Sequence, residues 1–83
     1  MNDLKVGYYK HYKGKSYKVL GVVFHSETLE ELVLYQSLYD AGRFGLNAVW
    51  VRPKAMFIEK VLVDGKQIPR FAYVGDTPES LEH

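Results

Sequence analysis

Turn signals recur along this 83-residue chain at intervals too short for long helices. Gly14, the run from Ser26 to Glu30, the run from Asp40 to Gly45, Pro53 and the pair Asp64-Gly65 each interrupt an apolar stretch the length of one strand. Five or six short, mostly antiparallel strands at this spacing fit a small all-β barrel or roll. Such a fold leaves room for one helical turn, after Pro53.

The strands follow from local pattern. Val6 to His11 begins the first, and Lys13-Gly14-Lys15 is a tight turn in which Gly14 takes a positive φ. Tyr17 to His25 is the second. Tyr17, Val19, Gly21, Val23 and His25 share one face, and Lys18, Leu20, Val22 and Phe24 the other. Apolar residues on both faces predict a central strand, and Gly21 marks a bulge or sharp bend. Ser26 to Gly42 admits two readings. Thr28 and Glu31 match a helix capping box, whereas Val33, Tyr35 and Tyr39 favour a strand over Glu31 to Tyr39. Asn47 to Val51 is a short strand stopped by Pro53, and Phe57 to Val63 is another. Asp64-Gly65 is a hairpin turn, and Gln67 to Tyr73 returns with Pro69 marking a sheet edge. Met56-Phe57 is core, and Gly75 to Ser80 reads as a frayed tail.

Size and composition narrow the function classes. The chain is one domain over residues 1–80, ordered from about 5 to 74, and Leu81-Glu82-His83 resembles the remnant of a C-terminal affinity tag. Eleven basic residues oppose ten acidic ones, nine without Glu82. That balance is too weak for duplex DNA binding by bulk charge. The chain has no cysteine, so it has neither a disulfide nor a thiolate metal site. The start, Met1-Asn2-Asp3-Leu4-Lys5, has no apolar signal-peptide core, and no apolar run approaches a membrane span. The expected location is cytoplasmic.

The motifs resemble a known pattern. They are Gly7-x-Tyr9-x-His11-Tyr12-Lys13-Gly14-x-x-Tyr17-x-Val19, then His25-Ser26-Glu27-Thr28-x-Glu30-Glu31 and Val33-x-Tyr35-x-x-Leu38-Tyr39. Trp50-Val51-Arg52-Pro53-x-x-Met56-Phe57-x-Glu59 and Pro69-Arg70-Phe71 complete the set. In combination they resemble the bacterial family called domain of unknown function 1653 (DUF1653), from Gly7 to Phe71. The resemblance implies an SH3-like barrel and a strand, not a helix, over Glu31 to Tyr39. It brings no established activity, cofactor or catalytic residue. One departure stands out: the loop from Ala41 to Ala48 is longer and more apolar than the family's usual connection before Trp-Val-Arg-Pro.

The candidate ligand-binding residues are His11, Tyr12, Lys13, His25, Glu27, Tyr35, Trp50, Arg52 and Arg70. His11 and His25 with Glu27 and Glu59 match no metal-ligand spacing, so no metal is assigned. In His25-Ser26-Glu27, adjacent side chains on an extended chain alternate in direction and form no relay. A turn capped by Ser26 or Thr28 explains the segment, so no catalytic residue is assigned. Arg52 and Arg70 each neighbour a ring, Trp50 or Phe71. They either hold an anion through the guanidinium fork or pair with Glu59 or Glu27. Tyr9, Tyr12, Tyr35, Tyr39 and Trp50 serve either as core or as a stacking surface. Lys10, Lys13, Lys15 and Lys18 flank the first hairpin as edge guards or as a local basic patch.

These features predict a non-enzymatic, cofactor-free binding module. Arg52, His11 and Lys13 would hold an anionic group, and Tyr12 and Trp50 would stack on a flat one. A nucleotide or single-stranded nucleic acid meets both demands. The alternative is a protein-interaction module that docks an extended peptide or adds a strand at the Pro69 edge. An enzyme using His11 or His25 with Glu27 comes third.

Overall fold

The computed structural model describes residues 4–81. The chain forms β1 (Gly7–His11), β2 (Ser16–Phe24), β3 (Glu31–Ser37), β4 (Val49–Pro53), a single-turn α1 (Lys54–Phe57), β5 (Lys60–Val63), β6 (Lys66–Pro69) and β7 (Phe71–Gly75). Five strands make one antiparallel sheet in the order β4-β3-β2-β1-β7, and β5 and β6 pair as a separate hairpin. The domain is all-β, with seven strands among the described residues rather than five or six. β2 is the central strand of the larger sheet, as its two apolar faces predict. Glu31–Ser37 is a strand, since tertiary pairing on both edges outweighs the capping-box signal.

The turns form as the sequence dictates. Gly14, at φ 104°, donates its N–H to the His11 carbonyl at 2.7 Å and closes the first hairpin. Asp64 and Gly65 both have positive φ, 51° and 80°, which matches the twist of β5 and β6. Gly7 meets a different demand. At φ 144° it lies so close to β7 that an added Cβ would sit 2.8 Å from the Gly75 carbonyl oxygen.

Several boundaries differ from expectation. The bulge falls between Val19 and Gly21, so Leu20 has no partner and Val22 rather than Gly21 lies opposite Val33. The facing pattern therefore switches parity there, because one extra residue reverses every later side chain. The strand expected over Gln67 to Tyr73 is two strands. The Arg70 N–H donates to the Glu59 carbonyl at 3.0 Å, and the Arg70 carbonyl accepts from the Tyr12 N–H at 2.9 Å. Its backbone thus joins one sheet to the other, and the chain changes sheets at that residue. Phe57 belongs to α1, not to β5. Met56 is 50% exposed, because neighbours on a helical turn point about 100° apart. The stretch after Gly75 ends in a 3-10 turn, Pro78–Leu81, that lies against β1 and β7 rather than fraying. Of the expected tag remnant, Glu82 and His83 lie outside the described residues, as do Met1, Asn2 and Asp3 of the N-terminal stretch.

The core occupies the inner face of the larger sheet. Tyr9, Val19, Val33, Tyr35, Phe57 and Phe71 are buried there, with Leu4, Tyr17 and Trp50 packed against them. Five of the six come from strands, and α1 delivers the sixth. Phe57 is 1% exposed, and its ring stacks parallel on Phe71 at 4.2 Å. It also meets Tyr9 and Tyr35 at 5.6 and 5.4 Å. These ring contacts stabilise the domain beyond the area they bury. They serve a chain whose small size limits its core and which has no covalent staple. No helix among the described residues is long and apolar enough to cross a membrane.

Candidate ligand-binding cleft

Strand register places a group of polar-aromatic residues at one end of the inner face. Tyr9 lies opposite Tyr17, Val19 opposite Tyr35, Tyr35 opposite Trp50 and His11 opposite Phe71. Alternate residues of a strand share a face, so Tyr17, Tyr35, Trp50, Arg52, His11 and Phe71 converge. Beyond the buried rings, Tyr17, Tyr35, Tyr39, Trp50 and Arg52 line a cleft of about 200 Å³. That is smaller than the ~300–1,000 Å³ of sites that enclose a whole small molecule. It suits one planar group of a larger ligand.

The cleft is polar at specific points. The hydroxyls of Tyr17 and Tyr39 share a hydrogen bond of 2.9 Å. Burial, followed by that bond, pushes the Tyr17 hydroxyl well above its ordinary pKa, so it keeps its proton. The Arg52 Nε donates to the Tyr35 hydroxyl at 3.4 Å, and the Arg52 guanidinium carbon lies 5.5 Å from the centre of the Phe71 ring. Arg52 is half-buried and, among the described residues, has no carboxylate partner. Arg70 differs: its Nη2 pairs with Glu59 Oε1 at 3.2 Å. Among the described residues, two buried donors have no acceptor, Trp50 Nε1 and Arg70 Nε. Such groups cost free energy until something accepts from them.

His11 sits beside the cleft. Its ring is 4.9 Å from Phe71 and 6.4 Å from Tyr17. Its Nδ1 accepts the Lys13 backbone N–H at 3.1 Å, which leaves the ring hydrogen on Nε2. Burial first, then the cations of Arg70, Arg52 and Lys13, lower its pKa below 6.5. The imidazole is therefore uncharged at neutral pH, and three cations lie near enough to act on it. Lys15 Nζ is 4.5 Å from the centre of the Tyr39 ring at the cleft margin. Tyr12 is exposed, its ring 4.7 Å from His11, with Lys13 Nζ 5.8 Å from the Tyr12 ring.

His25 and Glu27 lie elsewhere. They occupy the β2–β3 turn beyond Phe24, which is itself about 23 Å along β2 from Tyr17 at ~3.3 Å per residue. His25 Nδ1 accepts the backbone N–H groups of Glu27 at 3.1 Å and Thr28 at 3.3 Å. That imidazole therefore caps a turn whose Leu29 has φ 63°. The Thr28 hydroxyl accepts the Glu30 N–H at 3.2 Å in the same turn. Near this end, Glu30, Glu31, Lys54, Ala55 and Ile58 line a hollow of about 270 Å³, where Lys54 pairs with Glu31 at 3.6 Å. No three His, Asp or Glu side chains among the described residues gather as a metal site.

Two cleft residues were absent from the sequence-derived set. Tyr17 looked like the first residue of a strand, yet its register opposite Tyr9 and Ser37 turns it inward. Tyr39 lies just past the end of β3 and joins through its hydroxyl. Tyr39 belongs to the ring inventory read from the sequence as core or stacking surface, and Tyr17 to the inward-or-outward face of the second strand, but neither position is marked there as part of a cleft.

Comparison with known proteins agrees with this inventory of motifs. The family model "Protein of unknown function (DUF1653)" matches residues 7–73. The chain belongs to the DUF1653 family. A crystal structure of a DUF1653 protein from Bordetella bronchiseptica is similar at 40% identity and a TM-score of 0.78. The alignment covers 90% of this chain and 92% of that one. No curated protein matched. Every cleft residue of this DUF1653 chain falls inside the matched span.

Proposed function

We propose that this DUF1653 protein is a cytoplasmic, non-enzymatic module that binds an anionic ligand carrying a flat aromatic group, such as a nucleotide or single-stranded nucleic acid. The observation that carries the reading is Arg52, a half-buried guanidinium in an aromatic cleft with no carboxylate partner among the described residues. A cation in that position repels a cationic guest, which argues against a cage for methylated lysine. It favours an anion, which its free N–H groups can grip in a fork. The tyrosines and Trp50 supply the stacking surface. His11 adds an Nε2–H donor, and an arriving anion would raise its pKa and draw in a proton.

A second reading rests on a groove of about 310 Å³ that adjoins the cleft at His11 and is lined by His11, Tyr12, Ile68, Pro69, Ala72 and Val74 among others. It runs beside β6, whose paired neighbour is β5, and it suits an extended peptide. An amide NMR titration with short single-stranded oligonucleotides at low salt separates the two. The first reading expects shifts at His11, Tyr17, Tyr39, Trp50 and Arg52 that fade as salt rises. If no cleft amide moves, the first reading is wrong and the groove becomes the better candidate.

A further inference from the structure

We propose that Phe44 and Arg43 form a second base-stacking subsite beside the cleft, so that the ligand is a single-stranded oligonucleotide rather than a free mononucleotide. This rests on the cleft reading above. Both residues lie in the β3–β4 loop, on a 3-10 turn spanning Gly42–Phe44. The loop is pinned. Asp40 Oδ1 accepts the Gly42 N–H at 3.0 Å, the Ala41 N–H donates to the Gly45 carbonyl at 3.0 Å, and Asp40 bridges Leu46.

A pinned loop holds an apolar ring where water would disfavour it. Phe44 is 54% exposed, yet its ring meets Trp50 edge-on at 5.1 Å and 71°. The Arg43 guanidinium carbon lies 4.9 Å from the Phe44 ring centre. The sequence of groups across this surface is therefore Arg52, Trp50, Phe44, Arg43: a cation, two rings, a cation. The cleft accommodates one planar group only. A second ring set nearly perpendicular to the first suits a second base turned away from its neighbour, as single strands allow and duplexes do not. The flanking guanidiniums lie where backbone phosphates would carry charge. The cleft lining contains no carboxylate to oppose them.

The chain has one tryptophan, so its fluorescence reports directly on this surface. The probes are thymidine 5′-monophosphate and the 5′-phosphorylated thymidine dinucleotide, titrated at low salt. The dinucleotide is expected to bind about tenfold tighter than the monophosphate. Phe44→Ala removes that gain and leaves monophosphate affinity unchanged. Phe44→Leu, which keeps apolar bulk without a π-face, behaves like the alanine variant. Because the side chain is largely exposed, both variants fold. If Phe44→Ala keeps the length gain, or Phe44→Leu restores it, the subsite is refuted. If the monophosphate binds and the second nucleotide adds nothing, the subsite is again refuted while the cleft stands. If neither probe alters Trp50 emission, both readings fall.

Discussion

Replacing Arg52 by glutamine removes the charge from the cleft and keeps a polar side chain that ends where the arginine Nε sits. In the ligand-free protein this loses one long hydrogen bond to Tyr35, at 3.4 Å, and one guanidinium–ring contact with Phe71, at 5.5 Å. No ion pair is lost. The stability cost is therefore under about 1 kcal/mol, a melting shift of a few degrees for a domain this size. Ligand binding suffers far more. Hydrogen bonds to a charged partner contribute about 1.5–3 kcal/mol, so affinity for a phosphorylated oligonucleotide falls roughly 10- to 150-fold. The slope of log affinity against log salt flattens by about 0.7, the share of one phosphate on a single strand. Trp50 fluorescence titrations at four salt concentrations measure both quantities. Arg52→Lys keeps the charge and loses the fork, so it restores the slope and only part of the affinity. If Arg52→Gln binds as tightly as the parent with the same salt slope, Arg52 does not hold an anion, and the case for the cleft collapses.

Two further outcomes follow from the packing. Phe57→Ala removes the ring stacked on Phe71 and destabilises the domain by about 3–5 kcal/mol, visible as a large drop in the urea midpoint. A change under 1 kcal/mol would show that α1 does not close the core. Stability also falls as pH drops below 6.5, because the unfolded chain protonates His11 at its ordinary pKa while the folded chain, with its lowered pKa, resists. Above that pH both states are neutral and the contribution is flat. Denaturant melts of the parent and of His11→Asn at pH 7.5 and 5.5 test this, and an equal acid loss in both proteins would exclude His11 as the source.

Much of the candidate site was legible before the fold was known. Tyr35, Trp50 and Arg52 stand at alternating positions of strong strand formers, so their shared face followed from strand periodicity once the pairing register was right. His11 was readable for the same reason. Phe44 carries no such signal because it lies in a loop, where no periodicity reports direction. His25 and Glu27 looked like site residues because polar side chains in a turn carry no mark of whether they serve a ligand or the turn itself. The backbone amides of Glu27 and Thr28 that bind the His25 ring answer for the turn. Of the two arginines, each expected to hold an anion or an ion pair, Arg70 pairs with Glu59, and Arg52 has no carboxylate partner among the described residues.

Local chemistry alone determined most of the strands but not β3, along with the Gly14 and Asp64-Gly65 turns, the central place of β2, and the helical turn after Pro53. Each depends on the φ range and side-chain shape of a few adjacent residues. Long-range contacts decided the rest. The bulge at Leu20 reversed the facing of β2, and the Arg70 backbone, shared between Glu59 and Tyr12, split a single strand between two sheets. Phe57 became the centre of the core only because α1 carries it back onto Phe71. Those contacts join residues far apart in the chain, and their energies exist only once the sheet has closed around them.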